Sequence, residues 1–184
     1  ERLTAEGTFP HIGPDDLDLI AEPMDYLGIN VYSRVVVSAE NYNPHWWEAS
    51  DTHPGGNFLA NGMEFYPEAL YDAVMLVRNE YGVSLPLYIT ENGMSTPEET
   101  VREDGVHDPE RIAYLAGFLE QAARAIDDGA DLRGYYLWSL LDNYEWASAF
   151  SQRFGIVRVD PVTLERTPKD SAHWYRDVIA RRGL

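Results

Sequence analysis

Glu91 follows the apolar, β-branched run Leu85 to Thr90 and precedes Asn92-Gly93, which places a carboxylate at the C-terminal end of a predicted buried strand over 85–90. A carboxyl group held there on rigid backbone stands where α/β proteins bind their substrates, and it suits nucleophilic or acid–base work. The plain alternative is a turn acid that caps nearby N–H groups, since a Gly after Asn signals a tight turn. Tyr32 closes a second run of the same kind, Met24 to Tyr32. Its phenol is able to donate to the carboxylate and hold it ionised, or it is an ordinary strand aromatic. Further along, Trp138-Ser-Leu-Leu-Asp-Asn-Tyr-Glu145-Trp146 is denser in polar-tipped aromatics and acids than a structural loop requires. Indole rings stack on the C–H faces of a pyranose while carboxylates accept paired hydrogen bonds from vicinal hydroxyls, so Trp with Glu is the combination a neutral sugar needs. Taken singly, each Trp serves a core as readily.

Positioning these groups falls to alternating elements. Strands are expected near 24–32, 85–90 and 134–140, with a further short one over 155–160. Pro67 opens a helix whose apolar positions Leu70, Val74, Val77 and Tyr81 step by helical spacing to a cap at Gly82. A second helix starts from Asp108 as N-cap with Pro109 in its first position, shows Ile112, Leu115, Leu119, Ala122 and Ile126 on one face, and stops at Gly129. A last helix runs from about 168 to 181. The alternation predicts an α/β fold with parallel strands and crossover helices. A doubly wound sheet would carry a Gly-rich phosphate turn, which is absent, whereas Asn30, Tyr32, Glu91, Trp138 and Glu145 all fall at strand C-terminal ends, as in a (β/α) barrel. Three βα units do not close a barrel of eight. Residues 38–63, rich in Asn, Pro, His and Gly, are expected to form a long rim loop whose Trp46, Trp47 and Phe58 pack it onto its own barrel, the alternative being that they extend an aromatic surface outward.

Composition excludes several partners. The 184 residues carry a formal net charge of −17, unsuited to nucleic acid or an anionic membrane surface. No apolar run reaches the ~20 residues of a membrane span. Zero cysteines remove disulfides and thiolate chemistry, and the five histidines at 11, 45, 53, 107 and 173 contain no i, i+4 pair, so no metal centre is expected. No cofactor is called for.

Several ordered motifs together resemble glycoside hydrolase family 1, the β-glucosidases. They are Asp25-Tyr-Leu-Gly-Ile-Asn-Val-Tyr32, Tyr66-Pro-Glu-Ala-Leu70, Tyr88-Ile-Thr-Glu-Asn-Gly93, Trp138-Ser-Leu-Leu-Asp-Asn-Tyr-Glu-Trp-Ala147 with Arg153-Phe-Gly155, and Arg166-Thr-Pro-Lys-Asp-Ser171 with Trp174-Tyr175. The resemblance implies that Glu91 is the nucleophile of a retaining hydrolase and that Tyr32 orients it. It further implies that Trp138 lies under the non-reducing sugar, Glu145 binds O4 and O6, Trp146 reaches O3, and Asn30 and Phe154 complete the substrate site. Glu145 argues for an unphosphorylated β-glycoside. Val31, Met63 and Phe150 replace an aromatic, a Trp and a Tyr common in the family, which implies a slightly more open or apolar site.

Retention needs a second carboxyl group, and the family's Thr-x-Asn-Glu-Pro acid/base motif does not occur in the chain. Glu145 is a lesser candidate for that role, because the resemblance assigns it to hydroxyl binding. The expectation is therefore the C-terminal three βα units of a (β/α)8 barrel, residues 1–184 forming one portion of a single domain. An N-terminal portion of the same barrel would be its partner, and the setting would be cytoplasmic. A non-catalytic carbohydrate-binding fragment is the alternative. An unrelated α/β hydrolase is disfavoured by the lack of a Gly-x-Ser-x-Gly turn.

Overall fold

The computed structural model describes residues 7, 12–36, 55–59, 61–96 and 99–184. Most of the 38–63 segment, including Trp46 and Trp47, lies outside them. In order, the elements are α1 (Asp16–Ile20), β1 (Leu27–Asn30), α2 (Glu68–Asn79), β2 (Leu87–Asn92), β3 (Thr100–Arg102), β4 (Gly105–His107), α3 (Pro109–Asp127), β5 (Leu132–Leu137), a 3-10 turn (Trp146–Ser148), β6 (Val157–Val159), β7 (Arg166–Pro168) and α4 (Asp170–Arg181). Strands β1, β2 and β5 form one parallel sheet with β2 in the middle. The helices α2 and α3 supply the crossovers, so the arrangement is part of an α/β barrel wall.

The core lies between that sheet and the helices. Leu87 and Ile89 of β2 meet Leu70 and Val74 of α2 and Leu115, Phe118, Ala122 and Ala125 of α3, all of them buried. The buried face of α3 is turned from the expected one: Ile126 is 49% exposed, while Tyr114 and Phe118 face inward with ring centroids 4.4 Å apart. Aromatic area wins the contact with the sheet, and Phe65 adds a third ring at 5.7 Å from Tyr114. Leu119 and Ile126 instead line an open apolar groove with Tyr135, Tyr175 and Val178. Tyr81 is likewise exposed, beyond the end of α2.

Other boundaries also differ from expectation. Strand β2 runs through Asn92, so Glu91 lies within the strand; parallel pairing on both sides overrides the turn signal of Asn92-Gly93. Strand β5 begins two residues earlier than expected and ends before Trp138. The 155–160 strand is the three-residue β6, paired antiparallel with β7, and Pro168 belongs to that hairpin rather than to α4. Strands β3 and β4 form a second small hairpin that the residue pattern does not announce. Asp108 sits at the N-cap position of α3 without a capping side-chain bond. Its carboxylate is used across space, accepting from Ser171 N at 2.9 Å in the first turn of α4 and from Ser171 Oγ at 2.6 Å.

A second pin joins the hairpin to the same helix. His107 Nδ1 lies 2.7 Å from Asp170 and its Nε2 3.1 Å from Asp104. Asp170 first, then Asp104, hold the imidazole above its ordinary value, against a smaller opposing effect of burial. A raised folded value means that the stabilisation is complete below the unfolded value of about 6.5 and is lost as pH rises through the folded one. Thermal unfolding of wild type and His107→Gln should therefore differ most below about pH 6.5 and draw together as pH rises beyond it. Parallel curves would remove the pin from the account.

Candidate functional site

The site is built at the C-terminal ends of the three parallel strands. Pairing slips on both sides of Glu91: between Ile29 and Asn30 on β1, and between Ile89 and Asn92 on β2. Such irregularities re-aim side chains, and here they sit where β2 presents its carboxylate. Asn30 pairs in register with Glu91, and its Oδ1 accepts from Thr90 Oγ1 at 2.6 Å.

Glu91 Oε2 accepts from Tyr32 Oη at 2.8 Å. Tyr32 is itself held at two further points: Tyr114 Oη donates to its carbonyl at 2.9 Å, and the Phe154 ring meets its ring edge-on at 6.4 Å. Burial first, then the Glu91 hydrogen bond and the charges of Glu91 and Glu145, push the phenol far above its ordinary value. Tyr32 therefore keeps its proton and remains a donor at every physiological pH.

The neighbouring strand end is locked to this one by backbone. Trp138 N donates to Asn92 O at 2.8 Å, and a Cβ built on Gly93 would overlap the Trp138 carbonyl oxygen. Only glycine permits that approach. From Trp138 the chain enters the segment carrying Glu145 and Trp146. Glu145 N bonds Ala149 O at 2.7 Å across the 3-10 turn, and Trp146 stands 82% exposed. Phe150 is exposed too, edge-on to Tyr144. Phe154, by contrast, is 8% exposed and backs Tyr32. Phe58 bridges antiparallel to Glu64, and Glu64 is tied to the chain just beyond Tyr32, its carbonyl accepting from Ser33 Oγ at 2.7 Å and its carboxylate from Arg34.

Both ends of this segment are fastened by Asp142. Its carboxylate accepts from Gly155 N at 3.0 Å, Val159 N at 3.3 Å, Lys169 Nζ at 3.0 Å and Arg153 Nη1 at 3.3 Å. Lys169 is fully buried and also reaches Glu99. Arg111, equally buried, donates from Nε to Asp108 at 2.8 Å and from its terminal nitrogens to Met94 O, Thr96 Oγ1, Arg153 O and Phe154 O. One guanidinium thus joins the chain leaving Glu91 to the chain leaving the Glu145 segment. Sequence reasoning missed Arg111 and Lys169. Two cations at full helix and strand ends read as surface charge until their distant partners are known.

Of the residues singled out from sequence, Tyr32 and Glu91 are in contact, Asn30 and Trp138 flank them on the two neighbouring strand ends, and Glu145 acts on Tyr32 through its charge. A carboxylate with one oxygen held by a phenol is fit to attack an electron-poor carbon, and the exposed indole and second carboxylate offer a surface for a polyhydroxylated ring. Among the described residues no three His, Asp or Glu side chains gather as a metal site, and no helix is long and apolar enough to cross a membrane.

Known proteins match the chain in sequence and fold. The family model described as Glycosyl hydrolase family 1 covers residues 1–184. Beta-glucosidase A of Acetivibrio thermocellus is 42% identical over 185 residues, spanning 97% of this chain and 39% of the relative. A bifunctional beta-D-glucosidase/beta-D-fucosidase of Bifidobacterium breve is 44% identical over 90% of this chain and 39% of its own length. Among solved structures, a beta-glucosidase from Thermotoga maritima in complex with noeuromycin superposes with a TM-score of 0.88 at 40% identity, covering 100% of this chain and 41% of that one. The chain spans about two-fifths of the length of the relatives it matches.

Proposed function

The chain belongs to glycosyl hydrolase family 1, and from that premise we propose that it carries the nucleophile and the sugar-binding rim of a retaining β-glycosidase acting on terminal non-reducing β-D-glucosyl or related residues. The observation that carries this reading is the Tyr32–Glu91 hydrogen bond at adjacent strand ends, beside Trp138 and the Glu145 segment. Glu91 Oε1, the oxygen not held by Tyr32, attacks the anomeric carbon as the bond to the aglycone oxygen breaks, giving a glycosyl ester on Glu91. Water then attacks the same carbon, losing its proton to the group that had protonated the aglycone, and frees the carboxylate, so two inversions return the original configuration. Tyr32 holds the other carboxylate oxygen, Oε2, throughout. Trp138 lies beneath the sugar, Glu145 accepts from its hydroxyls, Trp146 closes the outer edge, and Asn30 and Phe154 support the inner one.

The acid that protonates the aglycone, about 5–5.5 Å from Glu91 in a retaining site, is expected on the remaining barrel units rather than on this chain. We take the chain as the last three βα units of the eight. Supporting this, Tyr26 and Tyr136 are exposed beside Tyr88 on the sheet, and Leu119 and Ile126 line the groove beside β5. The remainder of the barrel would cover both surfaces and pair the open strand edges.

The test is hydrolysis of 4-nitrophenyl β-D-glucoside by the assembled barrel, with the first-formed sugar followed by proton NMR. The β-anomer is expected to appear first and to mutarotate afterwards. An α-anomer first would exclude the covalent route, and sugar binding without turnover would favour the carbohydrate-binding alternative.

A further inference from the structure

A series of hydrogen bonds lies beneath Glu91 that the chemistry above does not use. Asn92, the next residue of β2, is fully buried. Tyr135 Oη donates to Asn92 Oδ1. Asn92 Nδ2 donates to the Val31 carbonyl at 2.7 Å and to Tyr114 Oη at 3.2 Å. Tyr114 Oη donates in turn to the Tyr32 carbonyl at 2.9 Å. The sense of the series is fixed: the Val31 and Tyr32 carbonyls only accept, so the amide presents its NH2 to Val31 and its oxygen to Tyr135. Burial pushes both phenols up, which keeps them protonated and able to donate.

The two carbonyls belong to consecutive residues of the segment that leaves β1. Val31 N still pairs with Glu91 O at 3.0 Å, and beyond it the chain leaves strand geometry while carrying the Tyr32 phenol to Glu91. A carboxamide that grips the first carbonyl directly and the second through Tyr114 sets the path of that turn. We infer that Asn92, extended by Tyr114 and oriented by Tyr135, is a positioning residue that seats the Tyr32 phenol on Glu91 without touching the sugar. This rests on the reading of Glu91 as nucleophile. It gives Asn92 a role separate from that of the carboxylate beside it.

The experiment compares Asn92→Leu, Tyr114→Phe and Tyr135→Phe with wild type in the assembled barrel. Asn92→Leu should lower kcat/KM by about 10- to 100-fold, the scale set by a small misplacement of a reacting group. The loss should fall on kcat with KM nearly unchanged, because Asn92 is buried away from the sugar and acts only through the Tyr32–Glu91 hydrogen bond. Tyr114→Phe should lower kcat in the same way by less, and Tyr135→Phe least, because both amide donations survive. Rates are taken per folded molecule, counted by near-ultraviolet circular dichroism, so loss of folded protein does not enter. An unchanged kcat in Tyr114→Phe, and in Asn92→Leu if that variant folds, overturns the inference. Failure of the underlying reading has a different signature, an inert wild type. The decision then passes to carbon-13 NMR of the Tyr32 phenol, assigned by its loss in Tyr32→Phe: a resonance displaced in Asn92→Leu and Tyr114→Phe supports the inference, and an unmoved one overturns it.

Discussion

Glu91→Gln is expected to lower turnover of an aryl β-glucoside by about 10^4-fold or more, the scale seen when a covalent nucleophile is removed from a working site. The amide oxygen keeps the shape of the carboxylate and still accepts from Tyr32, so substrate should bind with nearly unchanged affinity. What disappears is the charge that forms the ester. Stability should hold or rise slightly, because one of two neighbouring acidic groups on the rim is gone. The checks are steady-state kinetics with an activated substrate, equilibrium binding of glucose, and thermal unfolding. A fall of less than about tenfold, with folding intact, would remove Glu91 from the centre of the chemistry.

The largest effect on stability is expected at Arg111, which the proposed chemistry does not use. Arg111→Met keeps much of the aliphatic volume but leaves Asp108 and Glu99 buried without that cation, and strips donors from Met94 O, Thr96 Oγ1, Arg153 O and Phe154 O. Breaking a buried ionic group from one side costs about 3–5 kcal/mol. Lys169 still faces Glu99, so the excess negative charge is partly offset and the lower half of that range is the natural expectation. Denaturant unfolding of the assembled barrel measures it. A loss below about 1 kcal/mol would mean that water or a neighbouring cation replaces the guanidinium.

The parts of the fold that could be read from sequence are those with long periodic signals. The apolar runs ending at Tyr32 and Thr90, and the helical spacing through α2 and α3, announce parallel strands with crossovers, and the residues at the strand ends are the ones found together. Failures occurred where local and long-range effects compete. Asn92-Gly93 signals a turn, yet β2 is paired on both sides and stays extended. On α3, Ile126 is more apolar than its neighbour Ala125, yet Ala125 is the one covered, because the position of the sheet and not the side chain's hydrophobicity decides which face is buried. The strands β3, β4 and β7 are three residues each, too short for alternation to show, whereas β6 falls within the strand expected over 155–160. The buried ionic and amide networks join residues as far apart as Tyr32 and Tyr114, and no spacing rule links such pairs.

Asp142 has a consequence for exchanging parts between related proteins. Because its carboxylate grips Gly155 N and Val159 N, and Lys169 grips the carboxylate, the two ends of the intervening stretch are clamped side by side independently of what lies between them. Residues 144–151 then behave as a replaceable cartridge on a fixed socket that also holds Asn143 and Gln152. Grafts that keep Asp142, Arg153 and Gly155 should transfer a donor's hydroxyl preference intact, whereas grafts cut inside the socket should lose the register of both strand ends at once.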